Sequence, residues 1–159
     1  MKKVLFFAIT MLSLVFVSCN KDDDRDAFVG VYNGTISMKG TKVVDDGDPQ
    51  PVTENKDGYF TIDKDGKKGK RVTVKITGVD YGSFTGSVDG NTLNIDAVHA
   101  SFVNNGKLTN VDIVIEPAQI AENHITLNGS LHTLTTSVSS SSTSTEDLQA
   151  ALLIEADKQ

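Results

Sequence analysis

The sequence predicts an all-β protein, an antiparallel up-and-down barrel of about eight strands, and three observations predict it. Apolar residues recur at every second position, the period of a strand with one buried face. Residues that tolerate positive φ stand between the alternating runs, as in Asp65-Gly66, Asp89-Gly90-Asn91 and Asn104-Asn105-Gly106. The intervals between these turns are short, so strands adjacent in sequence are expected to be adjacent in the sheet.

In chain order, strands are expected over residues 28–39, 50–63, 70–78, 80–88, 91–103, 108–117, 121–138 and 147–157. Val72, Val74 and Ile76 alternate with Thr73, Lys75 and Thr77, and Phe84 and Val88 share a face of the next run. Leu93, Ile95 and Ala97 alternate with Asn94 and Asp96; Val111, Ile113 and Ile115 alternate with Asp112 and Glu116, with Val114 the one exception. Ile125, Leu127 and Leu131 alternate with Thr126, Asn128 and Ser130. Residues 45–51, DDGDPQP, read as an acidic loop, and the Ser/Thr-rich residues 137–145 as a long flexible loop. The final run has a helix-favouring composition, and Ser144 with Asp147 offers a capping box. Leu148, Ala150, Leu152, Ile154 and Ala156 nevertheless alternate, and a meander needs a last strand to cover its edge, so a strand is expected.

Eight such strands close into a barrel whose interior holds side chains or one small ligand. The expected cavity lining is Tyr32, Phe60, Phe84, Leu93, Ile95 and His99, the histidine continuing the inward parity of Leu93, Ile95 and Ala97. An immunoglobulin-like β-sandwich is the alternative fold.

The first residues carry a different message. MKK precedes an apolar run from Val4 to Val17, broken only by Thr10 and Ser13. That is the pattern of an export signal and is shorter than the ~20 residues a membrane-spanning helix needs. The run ends at the sole cysteine, Cys19, and Leu14-Val15-Phe16-Val17-Ser18-Cys19 resembles a bacterial lipobox, with Phe16 where the commonest form has leucine. The resemblance implies cleavage before Cys19 and acylation of its sulfur, and two acyl chains give durable attachment to a membrane. Lys21-Asp22-Asp23-Asp24 follows and resembles the signal that sends lipoproteins of Bacteroidota to the outer face of the outer membrane. The organisation expected is a signal peptide over 1–18, a lipidated cysteine and acidic tether over 19–27, and one domain over 28–159. Loss of Lys2 and Lys3 with the signal takes the formal charge from −6 to −8. So acidic a chain repels phosphate, which argues against nucleic acid as a partner.

Chemistry-bearing motifs are sparse. Asp63-Lys64-Asp65-Gly66 echoes a calcium loop, but Thr61 and Val72 stand where its terminal ligands belong, so a hairpin turn is expected. Asp45, Asp46 and Asp48 suit a hard cation but read as a solvated loop, and Lys64, Lys67, Lys68, Lys70 and Arg71 as a charged hairpin tip. His124 and His132 are expected to face outward, about 27 Å apart and too far to share a metal. No Gly-x-Ser-x-Gly elbow, His-Glu-x-x-His motif, phosphate loop or second cysteine is present. No enzymatic role, cofactor or metal is expected.

Ala27-Phe28-Val29-Gly30-Val31-Tyr32-Asn33-Gly34-Thr35, just after the acidic run, carries a G-x-Y-x-G pattern. It resembles the opening strand of the calycin-like (lipocalin-like) lipoproteins of gut Bacteroidota. The resemblance implies a surface-anchored outer-membrane lipoprotein, a binding module for a small apolar or amphipathic ligand. The alternative is an accessory subunit that meets an outer-membrane protein partner through its outer surface.

Overall fold

The computed structural model describes residues 23–67, 69–77 and 83–159. They are all-β and antiparallel: β1 Gly30–Val44, β2 Gln50–Lys64, β3 Arg71–Ile76, β4 Ser83–Asp89, β5 Thr92–Ile95, β6 Val98–Asn104, β7 Lys107–Ile115, β8 Ala118–Ala121, β9 His124–Val138 and β10 Thr143–Lys158. Among the described residues the one helical turn is a 3₁₀ helix at Asp24–Ala27.

The pairings close on themselves. β1 pairs with β2, and β2 to β5 follow in order; β5 pairs with β8, β8 with β9, β9 with β10, and β10 returns to β1. The result is a ring of eight strands. β7 and β6 lie outside the ring, attached to β9 along residues 129–137, where the short β8 has already ended. The topology therefore departs from a plain up-and-down meander. The run expected as one strand over 91–103 is two, because Asp96 and Ala97 break the ladder between β5 and β6. β8 was not expected: four residues give little alternation, and its turn into β9 is Glu122-Asn123, with Glu122 at φ 58° and no glycine to signal it.

Other expectations hold. The last segment is a strand, β10, paired with β1 on one side and β9 on the other. Asp89-Gly90-Asn91 and Asn104-Asn105-Gly106 are hairpin turns, with Gly90, Asn105 and Gly106 all at positive φ. Residues 137–145 are a correction. β9 runs to Val138 and β10 starts at Thr143, so the serines form a tight turn instead of a long loop. Ser139 N–H donates to the Ser142 carbonyl at 2.8 Å, and its Oγ accepts from the amides of Ser141 and Ser142.

The seam between β1 and β10 depends on small residues. Gly34 lies opposite Ala156 and Gly40 opposite Ala150. A Cβ at either glycine would run into the backbone of the partner strand, at Glu155 or Gln149. The absent side chains let the two strands approach and coil there, as a closed sheet requires.

Gly40→Val is accordingly expected to destabilise the fold by more than about 2 kcal/mol, the upper part of the range for forced overpacking. Thr41→Val, one residue along and on the opposite face, should change stability by under about 0.5 kcal/mol. Urea denaturation of the two variants makes the comparison.

Candidate functional site

The two ends of the ring differ. At one end the core is filled. Tyr32 and Phe60 are cross-strand partners whose rings stack in parallel, 4.7 Å apart and 3° from coplanar. Ile62, Val72, Val74, Val88, Leu93, Ile125 and Leu127 surround them, all fully buried. The segment before β1 plugs this end: Phe28 is buried, and its carbonyl accepts a 2.6 Å hydrogen bond from the Tyr32 hydroxyl. Burial pushes the Tyr32 hydroxyl up to about 12.

Arg25 locks the plug. It is 1% exposed. Its guanidinium donates to the carbonyls of Asp65, Gly66 and Arg71, at 3.3, 3.3 and 3.1 Å, across the mouth of the β2–β3 connection. It also grips both carboxylate oxygens of Asp23, at 2.8 and 2.7 Å. The same Asp23 caps the 3₁₀ helix and pairs with Lys64 at 3.1 Å. Arg25, with help from Lys64, holds the Asp23 carboxyl well below the usual carboxylate range. Of the export-signal residues, Cys19, Lys21 and Asp22 lie outside the described residues. Asp23 is part of the plug, and Asp24 begins the 3₁₀ helix, so the expected tether over 19–27 ends in docked structure.

The other end is hollow. A cavity of about 520 Å³ lies between the far halves of β1, β2, β9 and β10 and the inner face of β6 and β7. Eleven of its fourteen lining residues are apolar, among them Ile36, Phe84, Phe102, Ile113, Leu131 and Ile154. The remaining three are Glu54, Lys56 and Asn104. The lining is thus an apolar pocket with a few polar groups, the usual form of a small-molecule site.

Of the six residues expected to line a cavity, Phe84 does. Tyr32, Phe60 and Leu93 are corrections: at 0%, 2% and 0% exposure they are packed inside the filled end, and Ile95 is buried beside them. His99 is a correction of another kind. Its side chain is 70% exposed and its Nδ1 sits 2.6 Å from Asp112 on the outer face. The break at Asp96 and Ala97 resets the alternation, so on β6 Val98 and Phe102 face inward and His99 faces out. The residues missed were Glu54 and Lys56. Their inward parity with Phe60 and Ile62 was available in the sequence, but charged side chains do not advertise an inward face.

The remaining polar candidates are occupied with one another. Lys70 pairs with Asp89 and Arg71 with Asp96, which accounts for much of the basic hairpin tip. Asp45 accepts from the Thr145 amide at 2.7 Å and the Ser144 hydroxyl at 3.0 Å, tying the connection over 45–49, shorter than the expected 45–51 loop because β2 begins at Gln50, to the start of β10. His132 Nε2 is 3.0 Å from Asp147, and His124 Nδ1 is 2.8 Å from Asp157. Thr126 Oγ1 stands 3.3 Å from His124 Nε2, so hydroxyl, imidazole and carboxylate fall in triad order. The Asp157 side chain is 73% exposed, unlike the buried carboxylate that orients a catalytic histidine. Among the described residues no group of three or more His, Cys, Asp or Glu side chains could hold a metal ion.

The plug yields a pH prediction. The folded-state pKa of Asp23 is depressed, so its contribution to stability is present above its unfolded value, near 4. That contribution is lost as pH falls through the lower, folded value. Asp23→Asn should lower the denaturation midpoint at neutral pH, and the gap from the parent protein should shrink steadily below about pH 4. Thermal melts across that range would show it; a gap independent of pH would mean that Asp23 acts only as a neutral cap. No family model, curated protein or solved structure matches the chain.

Proposed function

We propose that the chain is a lipid-anchored outer-membrane lipoprotein of the calycin-like kind, a non-enzymatic binding module that holds a small apolar or amphipathic molecule in the open end of its barrel. The observation that carries this reading is the 520 Å³ apolar cavity above a filled and plugged floor. A hollow lined by side chains such as Ile113, Leu131 and Ile154 loses dispersion contacts and gains nothing for the fold; an apolar guest restores them. Its size falls within the ~300–1,000 Å³ typical of small-molecule sites. The eight-strand ring, the lipobox-like run ending at Cys19 and the acidic residues after it support the family likeness and the outer-membrane, surface-facing location.

A second reading rests on a separate observation. Among the described residues, β6 is hydrogen-bonded on one side only, by β7. Val103 and Leu108 form an exposed apolar pair on the outer face of that hairpin. A free strand edge beside apolar side chains is a template for strand addition, which suits an accessory subunit of an outer-membrane complex.

Gently purified protein compared by native and denaturing mass spectrometry tests the first reading. A stoichiometric extra mass is the expected result, and a bare protein that takes up no apolar dye would favour the second. Leu131→Trp, which fills the cavity from β9, should weaken dye binding at least about tenfold, a loss of about 1.4 kcal/mol. Its melting temperature should stay near that of the parent. The anchor is tested separately: Cys19→Ser should abolish incorporation of labelled palmitate and release the protein from the membrane fraction.

A further inference from the structure

Above the closed ring, the hollow end is wrapped by a sheet that stays open. Around the cavity the pairings run β6–β7–β9–β10–β1–β2. The two end strands both reach the lining, β6 through Phe102 and Asn104 and β2 through Glu54 and Lys56. β3 meets β2 only from Phe60 to Lys64, with one further bond from the Thr77 amide to the Tyr59 carbonyl. Among the described residues, Gln50 to Gly58 therefore present a free edge on that side, and β6 presents another. Two free strand edges thus border one opening over the cavity.

The edges differ in chemistry. β2 carries Pro51, which has no amide hydrogen to donate, and the charged Glu54, Lys56 and Asp57, the residue types by which exposed edges resist further pairing. β6, Val98-His99-Ala100-Ser101-Phe102-Val103-Asn104, holds no proline, glycine, carboxylate, lysine or arginine. Its alternation sets Phe102 toward the cavity and leaves Val103 72% exposed on the outer face. One side of the opening is guarded against a new strand, and the other is not.

We infer that β6 takes an added strand from a partner protein, an extended segment lying in the opening with an apolar side chain at every second position directed into the cavity. This rests on the strand-addition reading of the β6 edge and goes beyond it by fixing the segment's chemistry and place. The main chain of β6 supplies the donors and acceptors of the new ladder, and antiparallel pairing is the more stable. β6 offers no carboxylate, lysine or arginine to match a charge, so the paired residues of the segment are uncharged, with serine or threonine outward beside His99 and Ser101. The inward apolar side chains meet lining residues such as Phe102 and Ile113. They take up space that a small apolar guest would use, so segment and guest compete.

The test uses the chain from Asn20 onward, which holds the whole ring and its plug. Its probe is a synthetic peptide of seven alternating threonines and valines, the length of β6, between two lysines. Two analogues are N-methylated, one on every valine and one on every threonine. Each lacks the amide donors of one edge, because successive amides of a strand point to opposite sides. Calorimetry should show saturable binding of the parent peptide, binding at least about tenfold weaker for one analogue, and binding within about twofold for the other, since only β6 pairs with it. Ser101→Glu/Val103→Glu, which gives β6 charges of the kind β2 carries, should weaken the peptide at least about tenfold despite its lysines, with circular dichroism confirming the fold. The peptide should also displace anilinonaphthalene sulfonate from the cavity. Equal binding by the parent peptide and both analogues, or by the double variant and the unmodified protein, would overturn the inference. Dye that stays bound while the double variant loses the peptide would keep strand addition to β6 and overturn the segment's place over the cavity. A protein that takes up the dye and no peptide would overturn the inference and leave the small-molecule reading standing.

Discussion

Everything in this fold depends on the pairing of its first strand with its last. β1 meets β10 from Tyr32 against Lys158 to Val44 against Glu146, and β10 in turn meets β9 along almost its whole length. Without that seam the sheet would be open, with two long exposed edges and no inside. The seam joins residues over a hundred positions apart, so its closure costs chain entropy that only the completed core offsets. The sequence accommodates it with pairs of very small residues, Gly34 with Ala156 and Gly40 with Ala150, where the strands come closest. A bulkier pair would improve the local strand propensity and prevent the ring.

Once the ring is closed, strand length decides where it is full and where it is hollow. β3, β4, β5 and β8 have six, seven, four and four residues, and they gather at the plugged end. β1, β2, β9 and β10 have fifteen or sixteen and extend past them. The short strands enclose the stacked Tyr32 and Phe60, and Arg25 seals the gap by donating to the carbonyls of Asp65, Gly66 and Arg71, the last of which also accepts from the Asp65 amide. Beyond the short strands the long ones, with β6 and β7, bound a space that their side chains do not fill. The charges Glu54 and Lys56 are tolerable there because their side chains stay 47% and 64% exposed, whereas six residues deeper on the same face of β2 the positions are held by buried Phe60 and Ile62.

The sequence made the strand parities legible, and through them the all-β class, most of the turns and most of the core. Strict alternation is a direct imprint of one-sided burial, so Val72, Val74, Ile113, Leu127 and Ile154 could be assigned without a structure. What it concealed were discontinuities. Asp96 and Ala97 shift the phase by one residue, and a single-residue shift moves every later side chain to the other face, which is how His99 came to be placed inside. The cavity was misplaced for a different reason. Large residues such as Tyr32 and Phe60 fill the narrow end, and the hollow lies where Ile36, Ile113 and Leu131, with Phe84 and Phe102, stop short of one another. Arg25 was unreadable because its partners are main-chain carbonyls some forty residues away, which leave no trace in composition.

The plug also fixes a direction. Asp23 lies at the filled end, and four peptide steps separate it from Cys19, a reach of at most about 14 Å. Under the proposed lipidation the anchor therefore holds the filled end against the bilayer, and the hollow end points away from it. A guest in the cavity would then be exchanged with the surrounding medium or with a neighbouring protein, and not drawn directly from the leaflet that carries the anchor. The free edge of β6 belongs to the same hollow end, since Phe102 and Asn104 of that strand line the cavity. A partner that added a strand to β6 would come to rest beside the cavity mouth. The carrier and accessory readings are in that sense compatible: one surface could receive the partner while the space next to it receives or releases the guest.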